Sequence, residues 1–340
     1  MESLAGAVVV FLVSAAVVAS AGISLARSGE VISARTRLGG LWVGSVFLGA
    51  ATSAPELVTD IAAVLMGEPD LAAGDLFGSN MGNMLVLAVV ALLPGAEPFR
   101  ETAVEHGYSA SLAIVMACIA GVAVMVEPDI SLFGIGPGSA FLLLVYLLGA
   151  RALYHQSTAL QARRVAEELA EAVTPGPDER GLPSLRRAVF AFGVAVLVIA
   201  VAAPILAASA ERIAALTGIG TTFVGTALLG LTTSLPELST SIAAARIGQI
   251  GLAVGNLFGS NALNMAFFLP LDLANGSAPI LAVVGLAHVL TVLNGILLMA
   301  TALAAITYSV EWRTRTIEPI ALLMIFLYAA GIAAIYAHSR

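Results

Sequence analysis

Lysine is absent from this chain, and all fifteen basic residues are arginine. Charged residues make up only 11% of the sequence and aromatic residues 6%, with four histidines and one cysteine. A single cysteine, Cys118, excludes an internal disulfide, and its place inside an apolar run predicts a small core hydrophobe. There is no HExxH motif, and neither of the serines singled out below has a histidine near it in sequence, so the usual signatures of a metallohydrolase or a serine nucleophile are missing. The chain is expected not to be an enzyme, to need no cofactor, and to have no nucleic-acid or protein partner.

What is present is apolar surface. With 59% hydrophobic residues and a mean hydropathy of +0.98, the composition lies far outside the range of soluble domains. A spanning helix needs about 20 mostly apolar residues. Ten stretches qualify, near residues 3–25, 39–66, 71–94, 108–126, 131–150, 187–209, 221–245, 251–273, 278–303 and 317–337. The fold class predicted is therefore an all-α polytopic membrane protein. Span 1 follows Met-Glu without a basic leader and is expected to be a retained helix rather than a secretory signal. If the amino terminus lies outside, thirteen of the fifteen arginines face the cytoplasm and only Arg212 and Arg340 do not. The positive-inside rule thus predicts both termini outside, in a cell membrane.

Within this apolar chain one phrase occurs twice. TSAPELVTD at residues 52–60 returns as TSLPELSTS at 233–241, and a gapless shift of 181 positions makes 23 of the 41 residues from Gly44 to Met84 identical in the second copy. Thr52, Ser53, Pro55 and Glu56 fall on Thr233, Ser234, Pro236 and Glu237. Further on, Gly74, Gly78, Ser79, Asn80 and Asn83 fall on Gly255, Gly259, Ser260, Asn261 and Asn264. An internal duplication follows. The first copy (44–84) lies in a five-helix unit, 1–150, and the second (225–265) in another, 187–340, joined by a cytoplasmic linker, 151–186. Because five helices separate the copies, they are expected to cross the membrane in opposite directions as inverted repeats. In the linker, QARRVAEELAEAV reads as a short amphipathic surface helix and TPGPDERGLP as a flexible segment.

Several residues carry local expectations. Pro55 in mid-membrane removes a backbone hydrogen bond and frees a carbonyl. Gly74 and Gly78 have the spacing that lets helix backbones approach closely. Asn80 and Asn83 share a helix face. Arg27 to Arg37 reads as a basic loop after span 1. Glu97, Glu101, Glu105 and His106 read as a solvated inner loop, and His288 as a packed, hydrogen-bonded histidine within span 9. Two acids break the repeat: Asp60 aligns with Ser241, and Asp75 with Asn256. Asp60 lies one turn from Glu56 and reads equally well as a proton-carrying group or a hydrogen-bonded neutral acid.

Glu56 and Glu237 decide the function class. A carboxylate near the bilayer centre costs about 2.5–3.5 kcal/mol even on the lenient insertion scale. There is no lysine to pair with, and every arginine falls in a loop or at a span end. Protons, bound metal ions, or both in turn must therefore neutralise these acids. Their neighbours are hydroxyls, amide carbonyls and freed backbone carbonyls, hard oxygen donors that suit sodium or calcium rather than zinc, copper or iron.

The paired TS-x-PE and G-x-LFGSN-x-x-N motifs resemble the two alpha repeats of the calcium/cation antiporter superfamily, and the ten-span layout is similar to its prokaryotic sodium/calcium exchangers. The resemblance covers essentially the whole chain. It implies an ion cluster between spans 2, 3, 7 and 8, with spans 1 and 6 sliding to give alternating access. It further implies Glu56 and Glu237 as central ligands, with oxygens from Thr52, Ser53, Thr233, Ser234, Ser79, Asn83 and Ser260. Asn264 stands where many such proteins carry aspartate, which leaves this site one negative charge fewer. Asp60, Asp75, Asn80 and Asn261 are accessory candidates. The activity implied is exchange of sodium for calcium; a proton-coupled antiporter is the alternative, and a channel fits the broken repeats less well.

Overall fold

In lipid every backbone N–H and C=O has to be satisfied within its own segment, so a chain this apolar is driven to helices. The structure, a computed structural model, describes residues 3–36, 38–93, 103–126, 130–170, 182–217, 233–307 and 319–338. Among these residues all named elements are helical. Eight helices are long and apolar enough to cross a membrane, and a bent pair makes up to nine. The protein is thus a multi-pass membrane protein. The first half of expected span 7 lies outside the described residues.

The helices are α1 (Leu4–Thr36), α2 (Gly40–Thr52), α3 (Ala54–Leu65), α4 (Pro69–Ala91), α5 (Ala103–Val126), α6 (Pro137–Ala170), α7 (Leu185–Thr217), α8 (Leu235–Arg246), α9 (Ile250–Ala266), α10 (Phe268–Asn275), α11 (Ile280–Val283), α12 (His288–Thr307) and α13 (Pro319–His338). Two of them stand apart. The 33-residue helices α1 and α7 make the most extensive helix-to-helix contact among the described residues. At 1.5 Å per residue each is about 50 Å long, well beyond a hydrocarbon core of about 30 Å. They share a hydrophobic cluster of their own, built on Val18, Leu25, Ile199 and Leu206, to which the bundle contributes Ala51. A second and much larger cluster joins α4, α5, α9 and α12 through residues such as Phe77, Met84, Met116, Phe258 and Leu298.

The lengths correct several boundaries. The expected loop from Arg27 is helical through Thr36, and α6 runs unbroken through the stretch read as a separate surface helix as far as Ala170. Hydropathy marks where lipid ends, whereas a helix ends only where a breaker or cap stops it. Expected span 9 is divided: α11 is a short turn of helix, and His288 opens α12 instead of lying within a span. Cys118 is exposed on the outer surface of α5 and is not a core residue. On a membrane-spanning helix an apolar outer face is the ordinary one, so hydrophobicity does not tell inside from outside. His106, assigned to a solvated loop with Glu97 and Glu101, is fully buried within α5. Glu97 and Glu101 lie outside the described residues, as do the side chain of Glu105 and most of the linker's Pro/Gly segment.

The break expected at Pro55 is present. Residues Val43–Leu48 form a π-helical turn, α2 stops at Ser53, and α3 continues at an angle of 41° with Pro55 in its first turn. Wide π turns of this kind recur at functional sites. They bring α2 against α9 backbone to backbone. A methyl group at Gly255 would lie 3.0 Å from both the Leu41 carbonyl oxygen and the Ser45 nitrogen, and one at Gly44 would lie 2.8 Å from the Leu252 carbonyl oxygen. The small-residue spacing thus acts in the second copy. In the first, Gly74 faces the His288 ring, and Gly78 meets nothing within 4 Å among the described residues.

Candidate functional site

Each repeat carries its glutamate in the first turn of a helix that starts just after a break, Glu56 in α3 and Glu237 in α8. Free backbone N–H groups and the positive end of the helix dipole favour an anion at that position. Both side chains are buried, at 1% and 0% exposure. Charges that bear on Glu56 come from Glu237, Asp75 and Asp60, all of the same sign, and Asp75 bears on Glu237. No arginine among the described residues answers either acid.

Around the glutamates the two copies interlock. The Ser53 hydroxyl donates to Glu237 Oε1 at 3.4 Å, joining the first break to the second carboxylate. The Thr52 hydroxyl lies 3.0 Å from the Leu48 carbonyl, 3.1 Å from Asn256 Oδ1 and 3.3 Å from Ser260 Oγ. Ser260 Oγ is also 3.4 Å from the Gly49 carbonyl. Pro55 has no N–H to return to the Ala51 carbonyl, so helical bonding fails where these oxygens gather.

The asparagines form a reciprocal set. Asn80 Nδ2 donates to the Asn261 carbonyl at 3.2 Å, and Asn261 Nδ2 to the Asn80 carbonyl at 3.2 Å. Asn83 Nδ2 donates to Asn261 Oδ1 at 2.9 Å, and Asn264 Nδ2 to Asn80 Oδ1 at 3.2 Å. Each bond maps onto its mate under the 181-residue shift, so the two copies hold each other reciprocally here. With their amide nitrogens tied, Asn83 and Asn264 leave Oδ1 buried without a donor.

Those oxygens have company. Glu56 Oε2, Glu237 Oε2, Ser79 Oγ and Ser234 Oγ are likewise buried with no hydrogen-bond partner among the described residues. Natively folded proteins leave few buried polar atoms unsatisfied. Buried acceptor oxygens left without a donor, both carboxylates among them, are groups that a proton or a bound cation satisfies. Among the described residues no group of three or more His, Cys, Asp or Glu side chains is placed to hold a metal, so neutral oxygens would supply most ligands. That matches the chemistry of sodium and calcium.

Of the residues singled out in the sequence, Thr52, Ser53, Glu56, Ser79, Asn80, Asn83, Thr233, Ser234, Glu237, Ser260, Asn261 and Asn264 are all buried. Hydrogen bonds join Thr52 to Ser260, Ser53 to Glu237, and the four asparagines to one another. Asp60 is buried on α3, and Asp75 is half-buried on α4. Sequence reading passed over Asn256 and Ser241 as supports: Asn256 takes the Thr52 hydroxyl on Oδ1 and donates Nδ2 to Ser241 Oγ at 3.2 Å. Their alignment opposite Asp75 and Asp60 was the available signal. It also passed over Asp272, a fully buried carboxylate accepting the Gly136 amide at 2.8 Å and the Ile280 amide at 2.7 Å, with no repeat signature to mark it.

The family model described as sodium/calcium exchanger protein matches residues 6–152 and 187–336. Inner membrane protein YrbG of Escherichia coli K12 is 29% identical over 237 residues, 68% of each chain. Sodium/calcium exchanger MaX1 of Methanosarcina acetivorans is 34% identical over 112 residues, 33% of this chain and 31% of that one. A solved structure of the sodium-calcium exchanger NCX_Mj superposes with a TM-score of 0.72 over 97% of this chain and 99% of the other, at 18% identity, which establishes a shared fold. With the family model covering both halves of the chain, the protein belongs to the sodium/calcium exchanger family.

Proposed function

We propose that this protein is a secondary antiporter that moves calcium against sodium by alternating access. The observation that carries the reading is the pair of buried, arginine-free glutamates, Glu56 and Glu237, set among orphaned neutral oxygens. A divalent ion between them balances two negative charges, and several sodium ions sharing the same oxygens do so in turn. The empty site, with two bare carboxylates, resists crossing the bilayer midplane, which enforces exchange rather than leak. The ligands are Glu56, Glu237, Asn83, Asn264, Thr52, Ser53, Thr233, Ser234, Ser79 and Ser260.

In this reading residues 1–150 and 187–340 are inverted five-helix halves of a ten-span transporter with both termini outside, linked by 151–186. The long pair α1 and α7, with its separate hydrophobic cluster, slides over the fixed bundle to open the site to each side. Uptake of labelled calcium into liposomes holding the purified protein, under an imposed sodium gradient, tests the proposal. Accumulation that follows the sodium gradient supports it, and no accumulation under any gradient overturns it. A proton-driven version is favoured by Asp60 and Asp75; collapsing the proton gradient at constant sodium separates the two, because only that version stops.

A further inference from the structure

Thr52, the last residue of α2, is fully buried, and its hydroxyl sits among more acceptors than it has hydrogens. The Leu48 carbonyl lies 3.0 Å from Thr52 Oγ1, the Gly49 carbonyl 3.4 Å, Asn256 Oδ1 3.1 Å and Ser260 Oγ 3.3 Å. A hydroxyl has one hydrogen and two lone pairs, and it ligates a cation only through a lone pair. Where the hydrogen goes therefore decides what Thr52 can offer an ion.

Asn256 gives that hydrogen a direction. It stands one turn before Ser260 on α9, so both side chains meet Thr52 from the same helix face. An amide oxygen carries no hydrogen, and the 3.1 Å contact is a bond only with Thr52 as the donor. The other end of the amide has its own partner: Asn256 Nδ2 donates to Ser241 Oγ on α8 at 3.2 Å, and both residues are fully buried. Turned over, the same amide would donate to Thr52, fill one of its lone pairs and send its hydrogen to the helix carbonyls. The two orientations have opposite consequences for an ion beside Thr52, and Ser241 supplies the acceptor for the first. The duplication requires neither residue, since the first copy carries Asp75 and Asp60 at these positions.

We propose that Asn256 is a positioning residue of the ion site: partnered by Ser241, it takes the Thr52 hydrogen and leaves the Thr52 lone pairs to a bound cation. This rests on the reading of Thr52 as a ligand beside Glu56 and Glu237. Asn256 and Ser241 act on the ion through Thr52.

The test is a double-mutant cycle on the purified full-length protein in detergent, with calcium binding read by titration calorimetry and folding by the melting temperature without calcium. Thr52→Val keeps the shape of the side chain and removes the hydroxyl. Asn256→Ala is expected to weaken calcium binding by about 10–100-fold, the usual cost of losing a group that orients a ligand. In the Thr52→Val background the same change is expected to alter affinity by less than about twofold, because no hydroxyl remains to be turned. An equal loss in both backgrounds, which is what a merely structural role produces, overturns the proposal, as does wild-type affinity in Asn256→Ala.

Should Asn256→Ala not fold, Ser241→Ala takes its place in the cycle. It leaves Asn256 Nδ2 without its acceptor, and buried N–H groups are left unpaired more rarely than carbonyl oxygens. The amide is then expected to turn over toward Thr52, with the same background-dependent loss of calcium affinity; wild-type affinity in Ser241→Ala overturns the orientation. Wild type that binds no calcium refutes the ion site and with it the role of Asn256, whereas wild-type binding with an additive cycle refutes that role alone.

Discussion

Asn80 and Asn261 clasp each other across the repeat boundary, each side-chain amide donating to the other's backbone carbonyl at 3.2 Å. Asn261 does more, since its Oδ1 also holds Asn83 Nδ2 at 2.9 Å and so fixes the orientation of the Asn83 amide, whose Oδ1 is buried without a donor. Asn261→Ala removes that orientation without touching a proposed ligand. Loss of a group that orients a ligand typically costs about 10–100-fold in affinity, and a buried donor left unsatisfied costs about 1–3 kcal/mol. Calcium uptake against concentration is expected to shift by that factor, with a matching fall in thermal stability. Unchanged affinity places Asn83 outside the ion site.

Glu56→Gln and Glu237→Gln test the centre. The amide keeps the size of the side chain and removes its charge, so each variant is expected to abolish divalent transport while remaining monodisperse in detergent. Thermal stability of the ion-free protein should hold or rise, because a carboxylate at mid-bilayer costs about 2.5–3.5 kcal/mol to place there. Either variant transporting calcium at the wild-type rate sinks the assignment.

Asn264→Asp gives the proposed site a third carboxylate. It is expected to change the charge moved per calcium, read as current across a reconstituted bilayer at known flux.

How far the sequence revealed this site depends on what marked each residue. Glu56, Glu237 and the four asparagines were legible because duplication printed them twice and because neither glutamate had a lysine or arginine to answer it. The bend at Pro55 followed from its missing N–H. Other features left no such mark. Asn256 and Ser241 were seen only as mismatches to Asp75 and Asp60, because a hydrogen bond across two helices has no fixed spacing in sequence. His106 and Cys118 were misplaced since hydropathy reports distance from water, and in lipid an outward face is as apolar as an inward one. The lengths of α1 and α6 were missed because arginine, glutamate and alanine beyond the bilayer are good helix formers.

Asp272 provides a contrast among the buried acids. Its carboxylate accepts two backbone amides, tying the segment before α6 to the start of α11. Asp272→Asn replaces one acceptor oxygen by an NH2 group facing an amide, and about 1–3 kcal/mol of stability is expected to be lost. Transport per folded molecule should stay within about twofold, as the residue makes no bond to the ion site. A selective loss of calcium affinity at unchanged stability would reassign it.

Helix α1 crosses α8 at Gly22, where a side chain would press on the Ser239 hydroxyl and reach within 3.0 Å of the Thr240 nitrogen. Ser239 and Thr240 lie just beyond Glu237, so this crossing is where the long pair meets the helix that carries Glu237. If α1 slides as a unit with α7, the crossing must stay smooth in both end states, and a bulky residue favours whichever state accommodates it. Gly22→Leu is expected to leave calcium binding measurable, seen as a calcium-dependent rise in melting temperature, because the ligands are unchanged. Overpacking of about 1–3 kcal/mol on one state or on the barrier slows exchange by about tenfold for each 1.4 kcal/mol. A variant that binds calcium and exchanges it at the wild-type rate rules out sliding at this crossing and moves the search for the hinge to the break between α2 and α3.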